Sequence, residues 1–136
     1  MKPKSIKVGI MTYENFKKYT KAIACGNYKP KKKEPKIWFE SIETMSQVLS
    51  SRNVELLKLI EKEKPQSLKE LAEISGRQTS NLSRTLKTFQ KYGIVDLIDN
   101  NKRKIPVVKG TSFEIEYGKE YPSSLLNSRA SRTART

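Results

Sequence analysis

The stretch Ser67–Val95, SLKELAEISGRQTSNLSRTLKTFQKYGIV, constrains the fold of this chain more than any other. Two helical periods flank a single glycine. Ser67 and Glu70 form a Ser-x-x-Glu capping pattern, which opens a helix whose apolar side is Leu68, Leu71, Ala72 and Ile74. Gly76 breaks it. A second helix runs from about Gln78 to Tyr92, with Leu82, Leu86 and Phe89 on one side at spacings of four and three, and Gly93 closes it. Both apolar sides have to share a core through Leu71, Ile74, Leu82 and Leu86. A connection of only a few residues then forces a steep crossing of the two helices.

The side of the second helix that avoids this core comprises Thr79, Ser80, Asn81, Ser83, Arg84, Lys87 and Lys91, with Gln78 at the helix start. These side chains suit a duplex groove. Asn and Gln bond adenine bidentately, Arg bonds guanine O6 and N7, and Ser and Thr contact bases or phosphates. The major groove, about 12 Å wide, admits a protruding helix. The same residue types are ordinary on any solvated helix. Three observations weigh against plain solvation: no Glu or Asp occurs from Gln78 to Tyr92, the preceding turn is short, and a basic hairpin follows directly. In that hairpin, Ile94–Ile98 and Lys104–Val108 are strand-like, with turn residues at Asp99-Asn100-Asn101. The loop from Asn100 to Lys104 would be a wing, setting Lys102, Arg103 and Lys104 against phosphates or the minor groove. TSFEIEY offers a further strand through Phe113, Ile115 and Tyr117. The expected fold class is mainly α with a small β-hairpin wing (α+β).

Upstream, Ser5–Met11 reads as a strand with Ile6, Val8 and Ile10 on one face. Thr12 can cap a helix that carries Phe16, Tyr19 and Ile23 to about Cys25, where Gly26 ends it. GNYKPKKKEPK reads as an extended, solvated linker, and IWFES as a short strand or anchor. Ile42, Met45 and Leu49 fit one helical face; after SSRN, Leu56, Leu57 and Ile60 fit another, which stops before Pro65. The boundaries expected are 1–40 for a strand–helix arm with a basic linker, 41–118 for the helical and hairpin domain, and 119–136 for a flexible basic tail. The arm is too small for a core of its own. It must pack on the rest of the chain, on a second copy, or on another protein. Lys29, Lys31, Lys32, Lys33 and Lys36 either track phosphates or simply keep the linker solvated. Trp38 and Phe39 are read as packing anchors rather than base-stacking platforms.

The formal net charge is +14, and residues 1–36 alone hold eleven lysines against Glu14 and Glu34. Such an excess favours polyanions. No apolar run approaches the ~18 residues that would span a bilayer, and no signal peptide is legible, so a cytoplasmic protein without membrane partners is expected. The single cysteine, Cys25, agrees with a reducing compartment and is read as inert. Without histidine there is no Ser-His-Asp or Cys-His arrangement, and no Gly-rich nucleotide loop occurs. Glu61 with Glu63, and Glu114 with Glu116, are spaced as ordinary solvated charge. No enzyme activity, cofactor or metal is expected.

Asn81-Leu82-Ser83-Arg84, Leu86-Lys87 and Tyr92-Gly93-Ile94-Val95 resemble the recognition helix and following strand of MarR-like winged helix-turn-helix regulators. The chain as a whole, including GNYKP…EPKIWFES, is similar to small predicted DNA-binding, antitoxin-like proteins of bacteria and archaea. It departs from the pattern at Arg77, where an aliphatic residue is usual; either the turn is looser or Arg77 itself reaches phosphate. The resemblance implies a winged helix-turn-helix, double-stranded DNA as partner, and a homodimer paired through terminal elements. The expectation is a sequence-specific transcriptional regulator contacting DNA through Arg77–Asn81, Ser83, Arg84, Lys87, Lys91 and Lys102–Lys104. A rival expectation is an antitoxin that neutralises a toxin protein through its N-terminal region and regulates its own operon. Binding of structured RNA is a third, which A-form geometry disfavours.

Overall fold

The computed structural model describes residues 5–118. In chain order the elements are β1 (Ser5–Ile10), α1 (Tyr13–Ala24), β2 (Ile37–Phe39), α2 (Ile42–Val48) and α3 (Ser51–Glu63). They continue with α4 (Leu68–Ser75), α5 (Thr79–Tyr92), β3 (Val95–Asn100), β4 (Arg103–Val108) and β5 (Ser112–Glu116). The architecture is α+β. No described helix is long and apolar enough to cross a membrane.

β1 is the middle strand of a parallel sheet ordered β2-β1-β5. It pairs with β2 in the register Val8↔Ile37 and Ile10↔Phe39, and with β5 from Ser5↔Ser112 to Gly9↔Glu116. A parallel pair needs a long crossover. α1 supplies it for β2, opened by Thr12, whose side chain accepts from the Asn15 amide at 3.2 Å. Of the three packing partners open to residues 5–40, the structure uses the rest of this chain. Val8, Ile37 and Phe39 join Leu57, Ile60, Leu71, Leu82, Leu86 and Phe89 in one buried cluster. The final strand, expected from its alternation but without an assigned partner, extends this sheet as β5, while the hairpin β3–β4 stands as a separate antiparallel pair.

The segment read as a solvated linker is anchored. Its lysines are exposed, but Glu34 and Pro35 are buried. The Glu34 carboxylate accepts from the Tyr19 hydroxyl at 2.8 Å, from the Lys31 amide at 2.8 Å, and from the Tyr28 hydroxyl. Burial alone would raise the Glu34 pKa, but these donors outweigh it and hold the carboxyl below its ordinary range. The Tyr28 hydroxyl is pushed up to about 12, by burial first and then by Glu34. Trp38 and Phe39 pack as anchors: Trp38 lies 5.3 Å from the Tyr19 ring and Phe39 4.4 Å from the Tyr92 ring, centroid to centroid.

One helix boundary and one apolar face differ from expectation. α3 begins at Ser51, so Arg52 and Asn53 are helical rather than loop, because Ser50 caps the Asn53 amide at 3.3 Å. Ile74, placed on the apolar side of α4 by its spacing, is 41% exposed, and Leu71 alone on that helix is fully covered. α4 has only 8 residues, and two turns present too narrow a stripe to bury every apolar position.

Candidate functional site

The turn between α4 and α5 is built as its residues dictate. The Ser67 hydroxyl accepts from the Glu70 amide at 3.1 Å and opens α4. Gly76 closes it at φ 75, a left-handed conformation that favours glycine, and its amide donates to the Ala72 carbonyl at 3.0 Å. Gln78 is extended and makes no side-chain cap, so α5 starts at Thr79. Leu82, Leu86 and Phe89 are all buried and fix the roll of α5. With that roll, Ser80, Arg84, Lys87 and Lys91 lie along one exposed stripe, at i, i+4, i+7 and i+11. Gln78, Thr79 and Asn81 are also exposed, and Ser83 is half-buried beside the stripe. No described part of the chain covers this face, and no acid sits in the first turn of α5.

Arg77 is half-buried and makes contacts within the chain. The turn is tight, and the guanidinium is turned inward. It donates to the Arg52 carbonyl at 2.8 Å and to Asn53 Oδ1 at 3.3 Å. Asn53 in turn donates to the Val48 carbonyl at 3.1 Å and to the Gln47 carbonyl at 3.3 Å. Arg77 thus ties the α4–α5 turn to the α2–α3 junction. Burial, and next the charge of Arg52, lower its pKa.

Lys91 sits apart from the N-terminal contacts of the stripe. Its ammonium lies 5.5 Å from the centre of the Tyr92 ring and close enough to Glu40 to favour that carboxylate. Tyr92 donates to Glu40 at 3.2 Å. Glu40 is held below the usual carboxylate range, first by its own main-chain amide and then, against burial, by Tyr92 and Thr44. Burial, followed by the Glu40 charge, raises the Tyr92 hydroxyl.

The hairpin follows α5 without slack. Gly93 takes φ 82, and the Ile94 amide returns to the Phe89 carbonyl at 2.8 Å. Val95 and Pro106 face the core, which turns Asp96, Ile98, Asn100, Arg103, Ile105 and Val107 outward. The turn is tighter than expected: of Asp99-Asn100-Asn101 only Asn101 belongs to it. Strand pairing continues to Asn100↔Arg103, and Asn101 and Lys102 form the corner at φ 51 and 67. Positive φ at both central residues is the two-residue turn that matches the twist of a hairpin. Lys102 therefore occupies the tip. Arg103 and Lys104 flank it on opposite faces, and Lys104 stands opposite Asp99 in register.

Of the residues expected to be plain solvated charge, Glu61, Glu63 and Glu114 are exposed, whereas Glu116 is half-buried. Cys25 is exposed. Glu116 lies 3.9 Å from the Lys7 ammonium. Among the described residues no group of three or more His, Cys, Asp or Glu is placed to hold a metal. The residues that the sequence did not point to are Glu40 and Tyr92; the signal was long-range, since they meet where Tyr92 of α5 packs against Phe39 of β2.

The HVO_A0114 family model matches residues 48–115, from the end of α2 through nearly all of β5. No curated protein and no solved structure matches the chain.

Proposed function

We propose, from the premise that the chain belongs to the HVO_A0114 family, that its matched segment is a winged helix-turn-helix that binds duplex DNA and regulates transcription by occupying a promoter. The observation that carries this proposal is the acid-free, uncovered stripe of α5 on a helix whose roll is fixed by three buried side chains. A face of hydroxyl, amide and cationic side chains with nothing of the chain against it suits the edges of base pairs and their phosphates. α4 is the first helix of the motif, α5 the recognition helix, and the β3–β4 hairpin the wing. Ser80, Asn81 and Arg84 read bases, Lys87 and Lys102–Lys104 hold phosphates, and Arg77 supports the turn instead of touching DNA.

A groove-reading helix on each of two copies, about 34 Å apart, would address a near-palindromic site, so the functional unit is a homodimer. Selection from random duplex DNA at physiological salt supplies the site. On that site Arg84→Ala lowers affinity by about 1–3 kcal/mol and relaxes preference at one base pair. Lys102→Ala weakens all sequences alike and reduces the salt slope by about one. An unchanged dissociation constant for Arg84→Ala on the selected site would remove α5 from the interface.

A further inference from the structure

Beside β2, at the C-terminal end of α5, lies a cavity of about 660 Å³. Its walls include Tyr13 and Phe16 of α1, Trp38 of β2 and Tyr92 of α5, and its polar groups are those of Lys36, Glu40 and Lys91. Space of several hundred Å³, bounded mostly by aromatic carbon with a few convergent polar groups, is the profile of a small-molecule site. Tyr13 is 68% exposed, and the Lys17 ammonium lies 5.0 Å from the centre of its ring.

The lining divides into three kinds of chemistry. The rings of Tyr13, Phe16 and Tyr92 offer π-faces for a flat group. Glu40 already takes hydrogen bonds from its own main-chain amide, Tyr92 and Thr44, and the acceptor capacity a carboxylate has beyond these can take a hydroxyl or amino hydrogen from a ligand. Lys36 and Lys91 supply exposed ammonium groups for an anion. A simple aromatic acid brings Glu40 no further donor, and a sugar phosphate leaves the rings against polar surface. We infer that the cavity binds a nucleoside monophosphate, with the base among the rings, the ribose hydroxyls on Glu40 and the phosphate on Lys36 and Lys91.

Trp38 is the only tryptophan of the chain and lines this cavity, so its emission reports occupancy. The full chain, free of DNA, is titrated with AMP, with adenosine and with inorganic phosphate. AMP gives a saturating change at one ligand per chain. Adenosine binds about tenfold more weakly for want of the charge-assisted contacts, and phosphate alone leaves the emission unchanged. Lys36→Gln narrows the gap between AMP and adenosine, while Tyr13→Ala weakens both by about fivefold or more through loss of a stacking face. Both positions are on the surface, and an unchanged melting temperature certifies the fold of each variant. A response that never saturates, an equal response to phosphate, or unaltered affinities in Tyr13→Ala overturns the inference. Because no duplex enters the titration, failure here leaves the assignment of α5 standing.

Discussion

Glu34 is an acid inside a run of lysines, and its surroundings define a pH response. The Tyr19 and Tyr28 hydroxyls and the Lys31 amide all favour its ionised form in the folded chain. With its folded pKa below the usual 4.5, Glu34 contributes stability that is present above that value and is lost as pH falls through the folded pKa. Tyr28 works at the other end. Its pKa is raised from 10.0 to about 12, so its contribution is full below 10 and disappears as pH climbs to about 12. Urea midpoints measured from pH 6 down to pH 3 are expected to fall more steeply for the native chain than for Glu34→Gln. Parallel curves would show that Glu34 is not held ionised by the fold. Neither Glu34 nor Arg77 was legible as structural from the sequence. A polar side chain reveals its partner only when distant segments meet, and Arg77 finds Arg52 and Asn53 from 25 and 24 residues away.

At the level of elements, most local signals were legible, although the Ser50 cap of α3 and the corner of the hairpin were not. Thr12, Ser67, Gly76 and Gly93 end or open helices through contacts within a few residues, and the spacing of Leu82, Leu86 and Phe89 follows the helical period. The stripe from Ser80 to Lys87 was legible for the same reason, being the complement of a buried face. Sheet partners were not, since alternation shows that a strand exists but not which strand it joins. Gly9 illustrates the cost. In the sequence it is a small residue inside a strand; in the sheet it lies beneath the Trp38 ring. A Cβ there would come within 2.5 Å of Trp38 and 2.8 Å of Pro35. Gly9→Ala is expected to lower the unfolding free energy by about 1–3 kcal/mol, because both obstructing groups are rings wedged in place. Chemical denaturation checks it, and an unaltered midpoint would mean that Trp38 swings aside freely.

For the whole molecule, the charge of +14 and the uncovered apolar side chains set how copies meet one another and a polyanion. Ile115 and Tyr117, at the end of the edge strand β5, are 49% and 64% exposed, and Ile98 and Val107 on the hairpin are 50% and 42% exposed. A homodimer would cover such surface. Light scattering at working concentration is expected to give twice 15.6 kDa, and Ile115→Lys to shift the mass toward one chain; a single-chain mass for the native protein, free and DNA-bound, would rule the dimer out. The tail at 119–136, read as flexible, lies outside the described residues.

The pairing of Ser5 with Ser112 has a consequence during synthesis. β2 emerges from the ribosome soon after β1 and can dock on one flank of it, but the opposite flank stays bare until more than a hundred residues have been polymerised. A nascent chain halted before β5 therefore displays an unsealed row of amides and carbonyls, the template on which stray strands accumulate. The sheet can be completed only after every helix and the hairpin have been synthesised.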